Sequence, residues 1–159
     1  MSEFFNTIGK LETESRAEDI LLPVHEYLIN KLNAECNSEC FYLINDYDDN
    51  DFDALPIEDV EKMLNNIQES PNLGNIEYIL PFGKISINFI TNNPFNINYI
   101  MISAEDFVIE KSRQEFYYFI LEIHFRFNLL QTIGGWGLGH YLEEIRQNIY
   151  PLKYELLLS

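Results

Sequence analysis

Apolar side chains recur along this chain in two periods, and the change between them divides it into segments. Behind Ser15 and Glu18, spaced as a capping box, Ile20, Leu21, Val24, Tyr27, Leu28 and Leu32 recur every three or four residues. That spacing predicts a helix over 16–35, kinked or restarted at Pro23. Residues 40–44 are apolar and bounded by Asn and Asp, the pattern of a short buried strand. Pro56 suits the first turn of a following helix, whose stripe is Val60, Met63, Leu64 and Ile67 and which Ser70 and Pro71 stop.

From 76 to 103 the period shortens to two. Ile85, Ile87 and Phe89 alternate with polar neighbours, and turns at 81–83 and 92–94 separate three β-branched and aromatic runs, so three antiparallel strands are the simplest account. Ser112 and Glu115 form a second capping box. The apolar run behind them reaches Gly134 and Gly135, where a left-handed C-cap fits, which predicts one long, mostly buried helix. Residues 121–129 also alternate strictly between apolar and polar, the signature of a competing strand. A last helix over about 138–149 is closed by Pro151. This order predicts an α+β fold: a single domain over 1–159, with an antiparallel sheet of three to five strands packed against N- and C-terminal helices.

Composition adds a boundary to that picture. A chain of 159 residues, 47% hydrophobic, has the size of one ordinary domain with a core of its own. Two cysteines, Cys36 and Cys40, are too few for a disulfide framework, and no charged and then apolar leader opens the chain, so a cytoplasmic protein is expected. The apolar neighbourhood 119–125 is interrupted by Glu122 and His124, far short of a membrane span. A net charge of −16 argues against nucleic acid and anionic membranes as partners, because both are bound through clustered Lys and Arg.

The charge is concentrated. Asp46, Asp48, Asp49, Asp51, Asp53, Glu58, Asp59 and Glu61 fall in sixteen residues without a base, which leaves 18 acids against 10 bases elsewhere. Tyr47 and Phe52 are interleaved with the carboxylates, and Tyr42 lies just before them. Carboxylates beside aromatic anchors are the composition of an interface for a basic protein partner, so the ten residues from Asp46 to Glu61, aromatics included, are the candidate partner-binding set.

Other chemistry is weakly signalled. An EF-hand alignment begins well at Asp46, Asp48 and Asn50, then meets Asp51 where Gly is needed and Ile57 where a closing Glu is needed. Cys36 and Cys40 lack the second ligand pair of a zinc site and are expected to be two small buried thiols. The segment 132–140 is Gly-rich but is neither a Walker loop nor a dinucleotide fingerprint. His140 near Glu143 and Glu144, and His25 near the cysteines, lack a third orienting group, so no catalytic triad is assembled. Neither a cofactor, a metal nor an enzymatic activity is expected.

In size and acidity, though in no motif, the chain resembles bacterial immunity proteins that neutralise a cognate nuclease toxin. The resemblance implies an inhibitor, monomeric or dimeric, that occludes a toxin's cationic groove with carboxylates and aromatics. A phage-encoded inhibitor that mimics nucleic acid would share the same features. The reading from a different class is a small enzyme or ligand-binding domain with a pocket near Trp136 and His140.

Overall fold

The computed structural model describes residues 3–36, 41–43, 54–56, 75–93, 96–147 and 154–159. Nine strands run through them: β1 (Phe4–Arg16), β2 (Glu35–Cys36), β3 (Phe41–Leu43), β4 (Ala54–Pro56), β5 (Asn75–Leu80), β6 (Gly83–Asn93), β7 (Asn96–Glu105), β8 (Leu129–Trp136) and β9 (Leu156–Leu158). Two substantial helices accompany them, α1 (Ala17–Glu26), which continues into a π-helical turn (Tyr27–Lys31), and α2 (Asp106–Arg126). A 3-10 turn (Leu138–Tyr141) leads into the short α3 (Leu142–Arg146). All nine strands join one sheet in the order β4-β3-β5-β6-β7-β1-β8-β9, with β2 beside β5, and every pairing is antiparallel.

The expected sheet of three to five strands between terminal helices is therefore overturned. The described chain is mostly strand, it opens with β1 and its last described element is β9. The reason is non-local pairing. β1 sits between β7 and β8, matching Thr7 to Ile102 on one side and to Gly134 on the other, partners about 95 and 127 residues away that local periodicity does not register.

The three expected strands over 76–103 are present as β5, β6 and β7, in register from Ile76↔Ile87 to Ile87↔Ile102. Pro81 and Phe82 make the turn between β5 and β6, and Gly83 rejoins the ladder at a φ of 143°, a conformation that glycine adopts without a Cβ clash. The short strand expected over 40–44 is present as β3. Pro56, expected to begin a helix, instead ends β4 opposite Phe41; the remainder of that helix lies outside the described residues.

The long helix was expected to start at Ser112 and run to the Gly pair. It starts earlier, at Asp106, and Ser112 marks a break inside it with φ −138° and ψ 35°. It ends at Arg126, where Asn128 takes the left-handed conformation (φ 53°) that the glycines were expected to supply. Gly134 and Gly135 lie within β8 instead. At Gly134 a Cβ would stand 3.0 Å from the Cβ of Leu156 and 3.1 Å from the Phe5 ring, so this glycine serves close packing and not a cap. The first helix forms over 17–31 with Pro23 inside it, but Ser15, expected to cap it, lies in β1 with its hydroxyl on the Thr13 carbonyl, and Glu35 has passed into β2; the last helix is cut to the 3-10 turn and α3 within the described residues.

Alternation along the strands sorts side chains to two faces. One face carries Phe5 and Leu11 of β1, Ile85, Ile87 and Phe89 of β6, and Ile100, Ile102 and Ala104 of β7, buried under α1 and α2. Val24, Leu28, Phe116 and Ile120 close over them. Each such side chain contributes roughly 1.5–3 kcal/mol by leaving water, which makes this layer the main source of stability. Tyr27 ties the two helical layers together by donating its hydroxyl to Glu122 Oε2 at 2.8 Å, with Arg126 stacked 4.3 Å above its ring. Among the described residues, the 3-10 turn and α3 cover part of the opposite face by laying Leu138 and Ile145 over Ile8, Tyr99 and Ile133.

Candidate functional site

β3 and β4 form an antiparallel pair at one end of the sheet, with Leu43 opposite Ala54. Residues 44–53 connect these partners, and five of the ten are aspartate: Asp46, Asp48, Asp49, Asp51 and Asp53, with Tyr47 and Phe52 between them. Glu58, Asp59 and Glu61 follow β4 in the chain. All ten sequence-predicted site residues lie outside the described residues, as does Cys40. What the sheet defines is their anchorage: both ends of the aspartate-rich connection are pinned across one strand pair, whose Cα partners stand about 4.5–5.5 Å apart.

A second place with chemistry is a cavity of about 570 Å³ on the sparsely covered face, between β1, β6, β7 and the 3-10 turn. Its floor is a row of small polar residues carried across neighbouring strands by register: Ser86 opposite Ser103, and Ser103 opposite Asn6. Asn6 and Ser103 are buried, at 6% and 5% exposure. The backbone N–H of Gly139 donates to Asn6 Oδ1 at 2.9 Å, and a backbone N–H can only donate, so the amide NH₂ of Asn6 faces Ser103 and donates to its Oγ at 2.7 Å. Met101, Phe4 and the rim residues Glu3 and His140 complete the lining.

Trp136 and His140, expected to share a pocket, lie on opposite faces of the sheet. Trp136 packs edge-on against Phe5 (5.3 Å between centroids) on the helix-covered face. His140 is exposed on the rim of the polar cavity. The two are four residues apart, but Gly137, at φ 68°, turns the chain between them. His25 places its Nδ1 2.7 Å from the Tyr78 hydroxyl, and Cys36, expected to be buried, is exposed in β2. Among the described residues no group of three or more His, Cys, Asp or Glu could hold a metal ion, and no helix is long and apolar enough to cross a membrane.

A third cleft, of about 530 Å³, opens between the β5–β6 turn and α2 and is lined by Leu80, Phe82, Phe119 and the exposed Tyr118, with Glu115 and Glu122 at its edge. The aromatics expected to crowd the core from this helix divide: Phe116 and Phe119 are buried, Tyr117 and Phe127 half-buried, and Phe125 exposed. Burial, the Glu122 hydrogen bond and the Glu122 charge all push the Tyr27 hydroxyl above its ordinary pKa, against the pull of Arg126. Burial likewise raises that of Tyr117. His124 is buried in the core, 2% exposed with Nδ1 2.8 Å from the Thr132 hydroxyl, and burial holds its pKa below the usual histidine value.

Asn6, Ser86 and Ser103 carry no signal of function in the sequence beyond being the polar members of alternating strands. Their convergence is a product of register, which no local pattern reveals. Against protein-family models, curated proteins and solved structures this chain has no match.

Proposed function

We propose that this protein is an acidic inhibitor that binds a basic protein partner, in the manner of a cytoplasmic immunity protein that covers the cationic groove of a nuclease toxin. The observation that carries this reading is the run of five aspartates in the sequence between Leu43 and Ala54, two residues that β3 and β4 pair at one end of the sheet. A concentrated field of one sign speeds encounter with an oppositely charged surface, whereas the same charges spread over the molecule would chiefly confer solubility. Tyr47 and Phe52 supply the apolar contact that slows separation.

The test has two steps. Affinity capture from the native host identifies the partner, and surface plasmon resonance then compares wild type with the triple variant Asp48→Asn, Asp49→Asn, Asp51→Asn over a salt series. The variant is expected to associate about tenfold more slowly at low salt, with the gap closing toward about 0.5 M salt as screening removes the field. An unchanged association rate at low salt removes the aspartates from the mechanism.

A further inference from the structure

The polar cavity carries an inference of its own, independent of any protein partner. Its buried floor holds more hydrogen-bond donors than the protein uses. Asn6 spends Oδ1 on Gly139 and one N–H on Ser103 Oγ, and neither Asn6 nor Ser103 has another hydrogen-bond partner among the described residues. One amide hydrogen of Asn6 and the hydroxyl hydrogen of Ser103 therefore remain, on side chains more than nine-tenths buried that line the cavity. A buried donor without an acceptor costs about 1–3 kcal/mol, so this floor is built to receive an oxygen.

The surrounding groups narrow what that oxygen belongs to. Among the described residues no Lys or Arg lines the cavity, the Glu3 carboxylate stands at its mouth, and the chain as a whole carries −16, so an anion is repelled. A cation would meet donors at the floor. A hydroxyl group suits both ends, because it accepts from Asn6 and Ser103 and donates to Ser86 Oγ or Glu3. Phe4, 46% exposed, and Met101 offer an apolar wall to a C–H face. A volume of about 570 Å³ falls within the range of roughly 300–1,000 Å³ typical of small-molecule sites. We infer that this face of the sheet is a binding site for a neutral, polyhydroxylated ligand of monosaccharide size, seated on Asn6 and Ser103.

Titration of ¹⁵N-labelled full-length protein with D-glucose, D-galactose and D-mannose, followed by amide chemical shifts, tests this. At least one hexose should move the resonances of Asn6, Ser103, Gly137 and Gly139 saturably, and D-glucuronate should bind about tenfold more weakly or not at all. Ser103→Ala removes a floor donor and should weaken binding about tenfold. Ser86→Leu fills the cavity from a half-buried position and leaves Asn6 and Ser103 themselves unsubstituted, so it should abolish binding in a folded protein even where Ser103→Ala perturbs folding. The inference is overturned if no hexose shifts these resonances up to about 50 mM, a generous limit for a weak site. It is equally overturned if glucuronate binds as well as glucose, or if folded Ser86→Leu binds like wild type.

Discussion

The two faces of the sheet are made by the same strands and behave as two different materials. On the helix-covered face Ile85, Ile87 and Phe89 of β6 interlock with Ile100, Ile102 and Ala104 of β7 and with Phe116 and Ile120 of α2, and all are nearly inaccessible. One residue along each strand, the other face presents the half-open Ser86, Asn88 and Met101 beside the buried Ser103, with Leu138 and Ile145 covering part of it. The difference teaches that the pleat separates the face that carries stability from the face of the inferred binding site: substitutions toward the helices should act on folding, and substitutions toward the cavity on the binding inferred there.

The largest expected effect breaks the first face. Phe116→Ala removes a fully buried ring that meets Phe5 edge-on at 6.0 Å and should cost about 3–5 kcal/mol in urea unfolding, whereas Ser86→Ala on the second face should stay within about 0.5 kcal/mol of wild type. Equal losses from the two would dissolve the distinction. A smaller effect comes from adding an atom where the covered face has no room. At Gly83 the φ of 143° disfavours any side chain, and a Cβ would meet Val108 Cγ2 at 2.9 Å, so Gly83→Ala should destabilise by about 1–3 kcal/mol. A neutral result in thermal melts would show that the β5–β6 turn yields easily.

The smallest effect sharpens the comparison through pH. His124 is buried on the covered face with its pKa held below the ordinary histidine value. The unfolded chain therefore takes up a proton first as pH falls, starting near the ordinary value of about 6.5, and stability declines from there down to the lowered folded pKa, below which this contribution levels off. His124→Gln removes the titration while leaving a group able to bond Thr132. Unfolding free energies of the two proteins measured from pH 8 to pH 5 should diverge in slope below about pH 6.5. Parallel curves would show that His124 takes no part in the acid sensitivity of the core.

Some of this was legible from local pattern. The alternation of Ile85, Ile87 and Phe89 marked β6 and its buried face, and the three-to-four spacing from Ile20 to Leu32 marked α1 and its π-helical extension. The strict alternation over 121–129 was a mixed signal because helix and strand meet there: α2 runs to Arg126 and β8 begins at Leu129. The glycines misled because Gly134 serves close packing against Leu156 and Phe5, an interaction between segments far apart in the chain. The carboxylates of 46–61 could be counted from composition, but the pairing of Leu43 with Ala54 on either side of the aspartate run was not available there.

By itself the sequence determined where the apolar periods are two and where they are three to four, and that half of the net charge falls within sixteen residues. Those properties belong to single segments, and nearest neighbours along the chain suffice to express them. Only the tertiary structure decided that β1 enters the middle of the sheet, that Trp136 and His140 part to opposite faces, and that Asn6, Ser86 and Ser103 meet across three strands. Each of these depends on strand register between residues as far as 131 positions apart, from Phe5 to Trp136, which is set by the combined burial of a whole face rather than by any one segment's preference.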